Sequence, residues 1–164
     1  MSKIVVQILA APEPNLFLFA FLLNFVYEVW QAPYYEFYGS SSLADKVRDL
    51  THCSFGDGVI ILVCSWVVSV LVRWSKTCLR QSRNWVLRPT PKLTFLFTSI
   101  GLLITLVIET YRVNISKVYG VPVLAVPMLG MSSLAVIQWI VLPPLILYLA
   151  RRQMLGYPEQ QKFK

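Results

Sequence analysis

Four long apolar segments constrain this chain more than any other feature of its sequence. They cover residues 15–33, 58–74, 93–111 and 133–150. A helix needs about 20 apolar residues to cross a hydrocarbon layer about 30 Å thick. The segments are long and do not alternate between apolar and polar residues, as the strands of a membrane barrel would. The sequence therefore predicts an all-α membrane protein whose four-helix transmembrane bundle forms a single domain over residues 1–164.

The overall composition agrees with a surface that faces lipid. Hydrophobic residues make up 56% of the chain and charged residues 14%, whereas soluble domains carry about 25% charged residues. The net charge is +7. In a membrane protein, basic residues in short loops indicate which side of the membrane each loop occupies. They are therefore not evidence of nucleic-acid binding. Membrane lipids are the expected partners, and no nucleic acid is expected.

The distribution of basic residues predicts the topology. Residues 76–92, between the second and third spans, contain five basic residues and no acidic one. The tail after residue 150 is basic as well. Short basic loops stay on the cytoplasmic side of a membrane. Four spans then place both termini in the cytoplasm and the first and third loops outside.

Two apolar segments are too short to cross a bilayer. Residues 3–11 predict an amino-terminal segment that is retained and lies in the membrane interface. Residues 120–130 are rich in proline and glycine, and they predict an apolar loop tucked against the bundle before the last helix. Within that last helix, the pair Pro143 and Pro144 predicts a kink that opens its outer half.

Polar side chains within the spans give the strongest functional indication. Asn24, Glu28 and Gln31 are spaced by four and three residues, so they share one helical face. Ionisable groups inside a membrane are costly and normally face a partner or a wet cavity. In the predicted topology such groups all fall in the outer half, which predicts an outward-facing pocket. Its candidate ligand-binding residues are Asn24, Glu28, His52, Asp57, Glu109 and Gln138, with Arg112 as the charge partner.

Several kinds of chemistry fit these residue types. Glu28, His52, Asp57 and Glu109 are suitable ligands for a divalent metal, although no HExxH spacing is present and the chain has one histidine. The same groups are suitable for acid–base chemistry on a small, lipid-like ligand. Alternatively, each polar residue fixes helix register, with Glu109 paired to Arg112.

Other cofactors are excluded by what the sequence lacks. No lysine lies inside a predicted span, which excludes a retinal Schiff base of the usual kind. A single histidine excludes bis-histidine haem. No Gly-rich nucleotide-binding motif occurs in the chain, so no nucleotide is expected.

Two classes of function remain open at this stage. In the first, the pocket binds a metal ion or a small lipid-like ligand and acts on it. In the second, the chain is a non-catalytic small subunit or assembly factor of a larger membrane complex, with other membrane subunits as partners. Transport is the weakest alternative, because no polar side chains line a route through the inner half.

Three stretches together resemble a group of small bacterial four-span inner-membrane proteins. They are FLLNFVYEVWQAPYY, THCSFGD and VPMLGMSSLAVIQWIVLPPL. The resemblance covers most of the membrane portion and implies location in the cell inner (plasma) membrane. It also supports the choice of a set of candidate residues, but it implies no activity. That set comprises Asn24, Glu28, His52, Cys53, Gly56, Asp57, Gln138, Trp139, Leu142, Pro143 and Pro144.

Overall fold

Nearly every residue that the structure describes is helical. The computed structural model describes residues 10–34, 42–74, 85–115 and 132–156. Four helices follow one another: α1 (Pro12–Gln31), α2 (Leu43–Trp74), α3 (Pro91–Asn114) and α4 (Ser133–Leu155). Each is long and apolar enough to cross a membrane. The prediction of an all-α chain with four such helices is confirmed. Most of the predicted interfacial segment and the whole predicted proline- and glycine-rich loop lie outside the described residues.

Prolines and hydroxyl side chains set the beginnings of the helices. Pro12 and Pro91 occupy the first positions of α1 and α3, where the missing N–H has no intrahelical partner to lose. The Thr90 hydroxyl accepts a hydrogen bond from the Leu93 amide at 3.3 Å. The Ser132 hydroxyl accepts one from the Leu134 amide at 3.2 Å and begins α4. Such caps satisfy backbone donors that the helix leaves open.

Helix α2 is much longer than the sequence predicts. It has 32 residues and begins at Leu43, whereas the second span was placed at residues 58–74. The Ser42 hydroxyl accepts a hydrogen bond from the Asp45 amide at 3.2 Å and donates to the Asp45 carboxylate at 2.7 Å. This cap starts the helix 15 residues earlier than expected, from residue 43 rather than 58. His52 and Asp57, which precede the second span as the sequence predicts it, therefore lie within α2.

The helices form a ring of antiparallel neighbours. Helix α1 packs against α2 and α4, and α3 packs against the same two helices. Ring contacts and hydrogen bonds join the pairs, as at Phe17 with Phe55 and at Tyr27 with the Leu134 carbonyl. Large apolar side chains remain exposed on the outside of the ring, including Val26 at 67% and Val107 at 70%. An apolar exterior of this kind is what lipid contact requires.

One half of the bundle is a packed apolar core, here called the apolar half. It lies where α1 and α3 begin and where α2 and α4 end. Fully buried side chains from all four helices meet there: Leu16, Ala20, Ile61, Cys64, Val68, Phe97, Ile146, Ala150 and Met154. Beyond them a 3-10 turn, Trp85–Leu87, is buried as well. This turn is called the plug below.

Two side-chain hydrogen bonds hold the plug in place. The Trp85 indole Nε1 donates to the Ser69 hydroxyl of α2 at 3.1 Å. The Arg151 Nε of α4 donates to the Leu87 carbonyl at 2.9 Å. The Trp85 ring also lies 5.5 Å from the Phe97 ring of α3, measured between centroids. Part of the predicted basic loop therefore folds back and closes this end of the bundle.

Candidate ligand-binding cavity

The opposite half of the bundle, here called the polar half, encloses a cavity of about 310 Å³. It lies where α1 and α3 end and where α2 and α4 begin, and all four helices contribute to its wall. The structure brings most of the predicted site residues to it. Those lining the wall are Glu28, His52, Asp57, Glu109, Arg112 and Gln138. Asn24 lies beside the cavity and contacts it through Gln138.

Gln138 connects three of the four helices. Its side-chain Nε2 donates to the Asn24 Oδ1 of α1 at 2.8 Å and to the Asp57 Oδ2 of α2 at 3.1 Å. The Gln31 Nε2 faces the Gln138 Oε1 at a long 3.5 Å. Asn24 in turn donates to the Ala20 carbonyl one turn earlier, at 2.8 Å. Because Gln138 is 98% buried, these bonds hold it in one orientation at the base of the cavity.

Three carboxylates share the cavity with one guanidinium. Glu28, Asp57 and Glu109 are near enough to repel one another electrostatically, and Arg112 is near enough to attract all three. The side-chain amides of Gln31 and Gln138 also lie near the Glu28 carboxylate. Three carboxylates against one guanidinium leave two formal negative charges when all four groups are ionised.

The remaining wall of the cavity is apolar. It includes Ile60 from α2, Ile108 from α3 and Trp139 from α4. The Trp139 ring packs directly on Gly101 of α3, where an added Cβ would overlap it. A glycine is therefore required at position 101 for the ring to lie against this helix. The cavity thus joins an apolar wall to a charged one, as small-molecule sites commonly do.

Two buried polar atoms of the cavity wall lack a hydrogen-bond partner within the described part of the chain. They are the Gln31 Oε1 and the Thr105 hydroxyl oxygen, in side chains from residues that are 3% and 7% exposed. The Gln31 amide is oriented so that its donor, the Nε2, is near two acceptors, the Gln138 Oε1 and the Glu28 carboxylate. This orientation supports the assignment of the unpartnered atom as the Oε1. Most buried polar groups in proteins are hydrogen-bonded, so these two atoms are exceptions among the described residues of the cavity wall.

The arrangement does not support the predicted metal site. Among the described residues, no three His, Cys, Asp or Glu side chains are grouped so that they could hold a metal ion. His52 reaches the edge of the cavity but is exposed. The set Glu28, His52, Asp57 and Glu109 lines one cavity without converging on a single point.

Sequence reasoning identified the polar wall and missed two apolar residues of it, Ile60 and Ile108. Both resemble ordinary lipid-facing or core residues in an apolar span, and the only signal for Ile108 is its spacing of three residues from Thr105. Trp139 is indicated only by the resemblance to small inner-membrane proteins. Gly56 also lines the cavity, and a Cβ built there meets nothing within 4 Å. Open space therefore surrounds this position, next to Asp57.

Fold and cavity together define the class of this chain, which is a multi-pass helical membrane protein. Comparison with protein-family models, with curated proteins and with solved structures gave no match. The resemblance to small bacterial inner-membrane proteins therefore stays a prediction, and functional arguments depend on the cavity itself.

Proposed function

We propose that this protein binds a small amphiphilic ligand from the membrane in the cavity of its polar half. The observation that carries the proposal is the cavity of about 310 Å³, whose lining combines three carboxylates with apolar side chains. Its volume lies at the lower end of the range of about 300–1,000 Å³ that ligand pockets occupy. A ligand with a polar head and a hydrocarbon part would match both sides of the wall.

The alternative that these residues only fix helix register explains the site less well. Polar groups that serve only to join helices are expected to satisfy one another. Gln138 with Asn24 and Asp57 fits that description. The Gln31 Oε1 and the Thr105 hydroxyl do not, because both are buried in the cavity wall without a partner from the described residues. Three carboxylates in one cavity also exceed what register requires.

The proposal includes an orientation in the cell. The basic residues between α2 and α3 favour a cytoplasmic position for that loop in a plasma membrane. The cavity, at the other end of the bundle, would then open to the outside. Labelling of single cysteines in intact cells tests this, in a chain without its native cysteines. A cysteine at Ser41 should react with an impermeant maleimide, and one at Ser82 should be protected; the reverse pattern contradicts the orientation.

Acid–base chemistry on the ligand would be a second stage of the same proposal. Positioned carboxylates are among the groups that perform proton transfer in enzymes. Glu28 and Glu109 border the cavity from opposite sides of the ring, on α1 and α3. A reaction would need a ligand between them, so binding is the property to test first.

The test compares what purifies with the protein when the cavity is open and when it is filled. We expect native mass spectrometry of the wild type to show a bound small molecule or lipid. Gly56→Phe, which projects a ring into open space, should lose it, while Gly56→Ala should keep it. Equal ligand content in Gly56→Phe and Gly56→Ala would contradict the proposal. Bound metal instead of an organic molecule would restore the metal hypothesis.

The structural-subunit alternative has one specific observation in its favour. The first turns of α2 carry exposed apolar side chains, Leu43 at 78% and Val47 at 49%, among charged residues. A partner subunit would cover such residues. In the same purification, a stoichiometric second polypeptide without any small molecule would favour a subunit or assembly factor over a binding protein.

A further inference from the structure

We propose that the head group bound in this cavity is a primary ammonium carried on an alkyl chain. The inference rests on the proposed function, since it names the chemical class of ligand for the same cavity. Such a group can come from the head of an amine-bearing lipid or from a free alkylamine. Charge, hydrogen-bonding capacity and shape each support it.

The charge of the cavity favours a cation. Glu28, Asp57 and Glu109 all line it and are near enough to repel one another electrostatically, and Arg112 is the one lysine or arginine among the described residues of the wall. Arg112 interacts with all three carboxylates, so its charge is already directed at groups of the protein. A negatively charged head group would add to the excess of negative charge. Buried charges are tolerated when they are paired, and a cation supplies the pairing.

The hydrogen-bonding atoms of the wall that are left without a partner among the described residues can accept, and the Arg112 donors lie close to the three carboxylates. The carboxylates accept only, the Gln31 Oε1 accepts only, and the Thr105 hydroxyl can accept. The main donor at the base of the cavity, the Gln138 Nε2, already donates to Asn24 and Asp57. An ammonium group offers three donors and no acceptor. It complements this wall better than a hydroxyl, which offers one donor, or a quaternary ammonium, which offers none.

The apolar wall accounts for the chain attached to the ammonium. Ile60, Ile108 and Trp139 line the same cavity as the carboxylates. At about 310 Å³ the cavity has room for a head group and part of one hydrocarbon chain, not for a whole diacyl lipid. Trp139 is held rigidly, since it packs on Gly101. The hydrocarbon part of the ligand would lie against these residues while its ammonium group meets the carboxylates.

A cysteine in the cavity wall provides the measurement. Cys53 lines the cavity and is partly buried, whereas Cys64 is fully buried in the apolar core. In a Cys78→Ser protein in phosphatidylcholine nanodiscs, the rate at which a maleimide modifies Cys53 reports access to the cavity. Octylamine should slow this rate. Octyltrimethylammonium, octanol and octanoate have the same chain and should have little effect at the same concentration.

Charge-removing variants connect the protection to the carboxylates. Glu28→Gln and Asp57→Asn remove a charge but keep the shape of each side chain. The double variant should need about tenfold more octylamine, or more, for half-maximal protection of Cys53. The reason is that hydrogen bonds to charged groups are among the stronger ones. Glu13→Gln is the matched control, because Glu13 is an exposed carboxylate at the other end of α1. It should change nothing. If the double variant fails to fold, Glu109→Gln provides the same comparison.

The outcomes separate this inference from the proposed function. If octanol or octanoate protects Cys53 as well as octylamine does, the proposed amphiphile-binding site stands, but the inference of an ammonium head group is wrong. Equal protection by octyltrimethylammonium, or protection that survives the loss of the carboxylates, would overturn it too. If no probe protects Cys53 and no small molecule copurifies, both proposals fail. Protection by phosphatidylethanolamine nanodiscs without added amine would identify a lipid head group as the source, and protection by octylamine alone would identify a free amine.

Discussion

The two halves of this bundle are built on opposite principles. The apolar half is filled by side chains such as Leu16, Ile61 and Phe97, none of which is measurably exposed. The polar half surrounds a cavity and is joined by a few side-chain hydrogen bonds centred on Gln138. Helix packing in membranes depends on close van der Waals contact, which the apolar half supplies. A bundle held firmly at one end can leave the other end open for a ligand.

The size of the individual contributions supports this division. Interhelical side-chain hydrogen bonds in membrane proteins average about 0.6 kcal/mol. Truncating a large buried side chain typically costs about 3–5 kcal/mol. The few bonds of the polar half therefore contribute less than one or two well-packed aromatic residues of the apolar half. Substitutions in the apolar half should lower stability, and those in the polar half should mainly change binding.

Removing the plug tryptophan should give the largest effect on stability. Trp85→Ala deletes a ring that is 1% exposed and contacts Phe97. It also leaves Ser69 without its indole donor. We expect the free energy of unfolding to fall by about 3–5 kcal/mol, measured by denaturant unfolding in detergent micelles. Trp74→Ala is the control, since Trp74 is 79% exposed. Similar losses in both variants would show that the plug does not stabilise this half.

A methyl group at the boundary between the halves should give an intermediate effect. In Gly101→Ala the new Cβ overlaps the Trp139 ring, so α3 and α4 must separate or the ring must turn. Overpacking of this kind costs about 1–3 kcal/mol. Gly56→Ala adds the same methyl group where nothing lies within 4 Å. It should leave stability unchanged or raise it by up to about 1 kcal/mol. Melting temperatures of the two variants in one detergent test the contrast.

Removing the central amide of the polar half should give the smallest loss. Gln138→Leu breaks the bonds to Asn24 and Asp57, yet water in the adjoining cavity can solvate the freed carboxylate. We expect a loss of about 1 kcal/mol, close to the value for two interhelical bonds. Tyr148→Leu, at a residue of the same helix that is 52% exposed, is the control. A loss as large as that of Trp85→Ala would mean that the polar half is as structurally critical as the apolar half.

The sequence predicts the apolar framework because each span carries its own signal. Four long apolar segments are enough to indicate four helices, and a shared helical face is enough to group Asn24, Glu28 and Gln31. The contact between the Gln138 amide and Asp57 was not predictable, since it depends on how α4 is rotated relative to α2. The plug was missed for a similar reason. Trp85 is buried through contacts with Ser69 and Phe97, which lie 16 and 12 residues away along the chain.

The early start of α2 was predictable in principle. Ser42 and Asp45 have the spacing of a helix-starting motif, although the charged residues after them are not typical of a membrane span. The kink at Pro143 and Pro144 is a different case. Helix α4 continues through both prolines, and the bend there stays a prediction. Nothing in the sequence gave the volume of the cavity, because that depends on the packing of four separate helices.

The length of α2 has a consequence for how far the cavity lies below the membrane surface. Its 32 residues extend about 48 Å at 1.5 Å per residue, which exceeds the hydrocarbon thickness of about 30 Å. Tilting it enough to fit would require about 50°, beyond the range observed for membrane helices. The ion-paired turn from Asp45 to Asp49 is therefore expected to lie outside the hydrocarbon layer. Asp57 follows Asp49 by eight residues, which is about 12 Å along the axis. One rigid helix thus sets the immersion depth of the carboxylates.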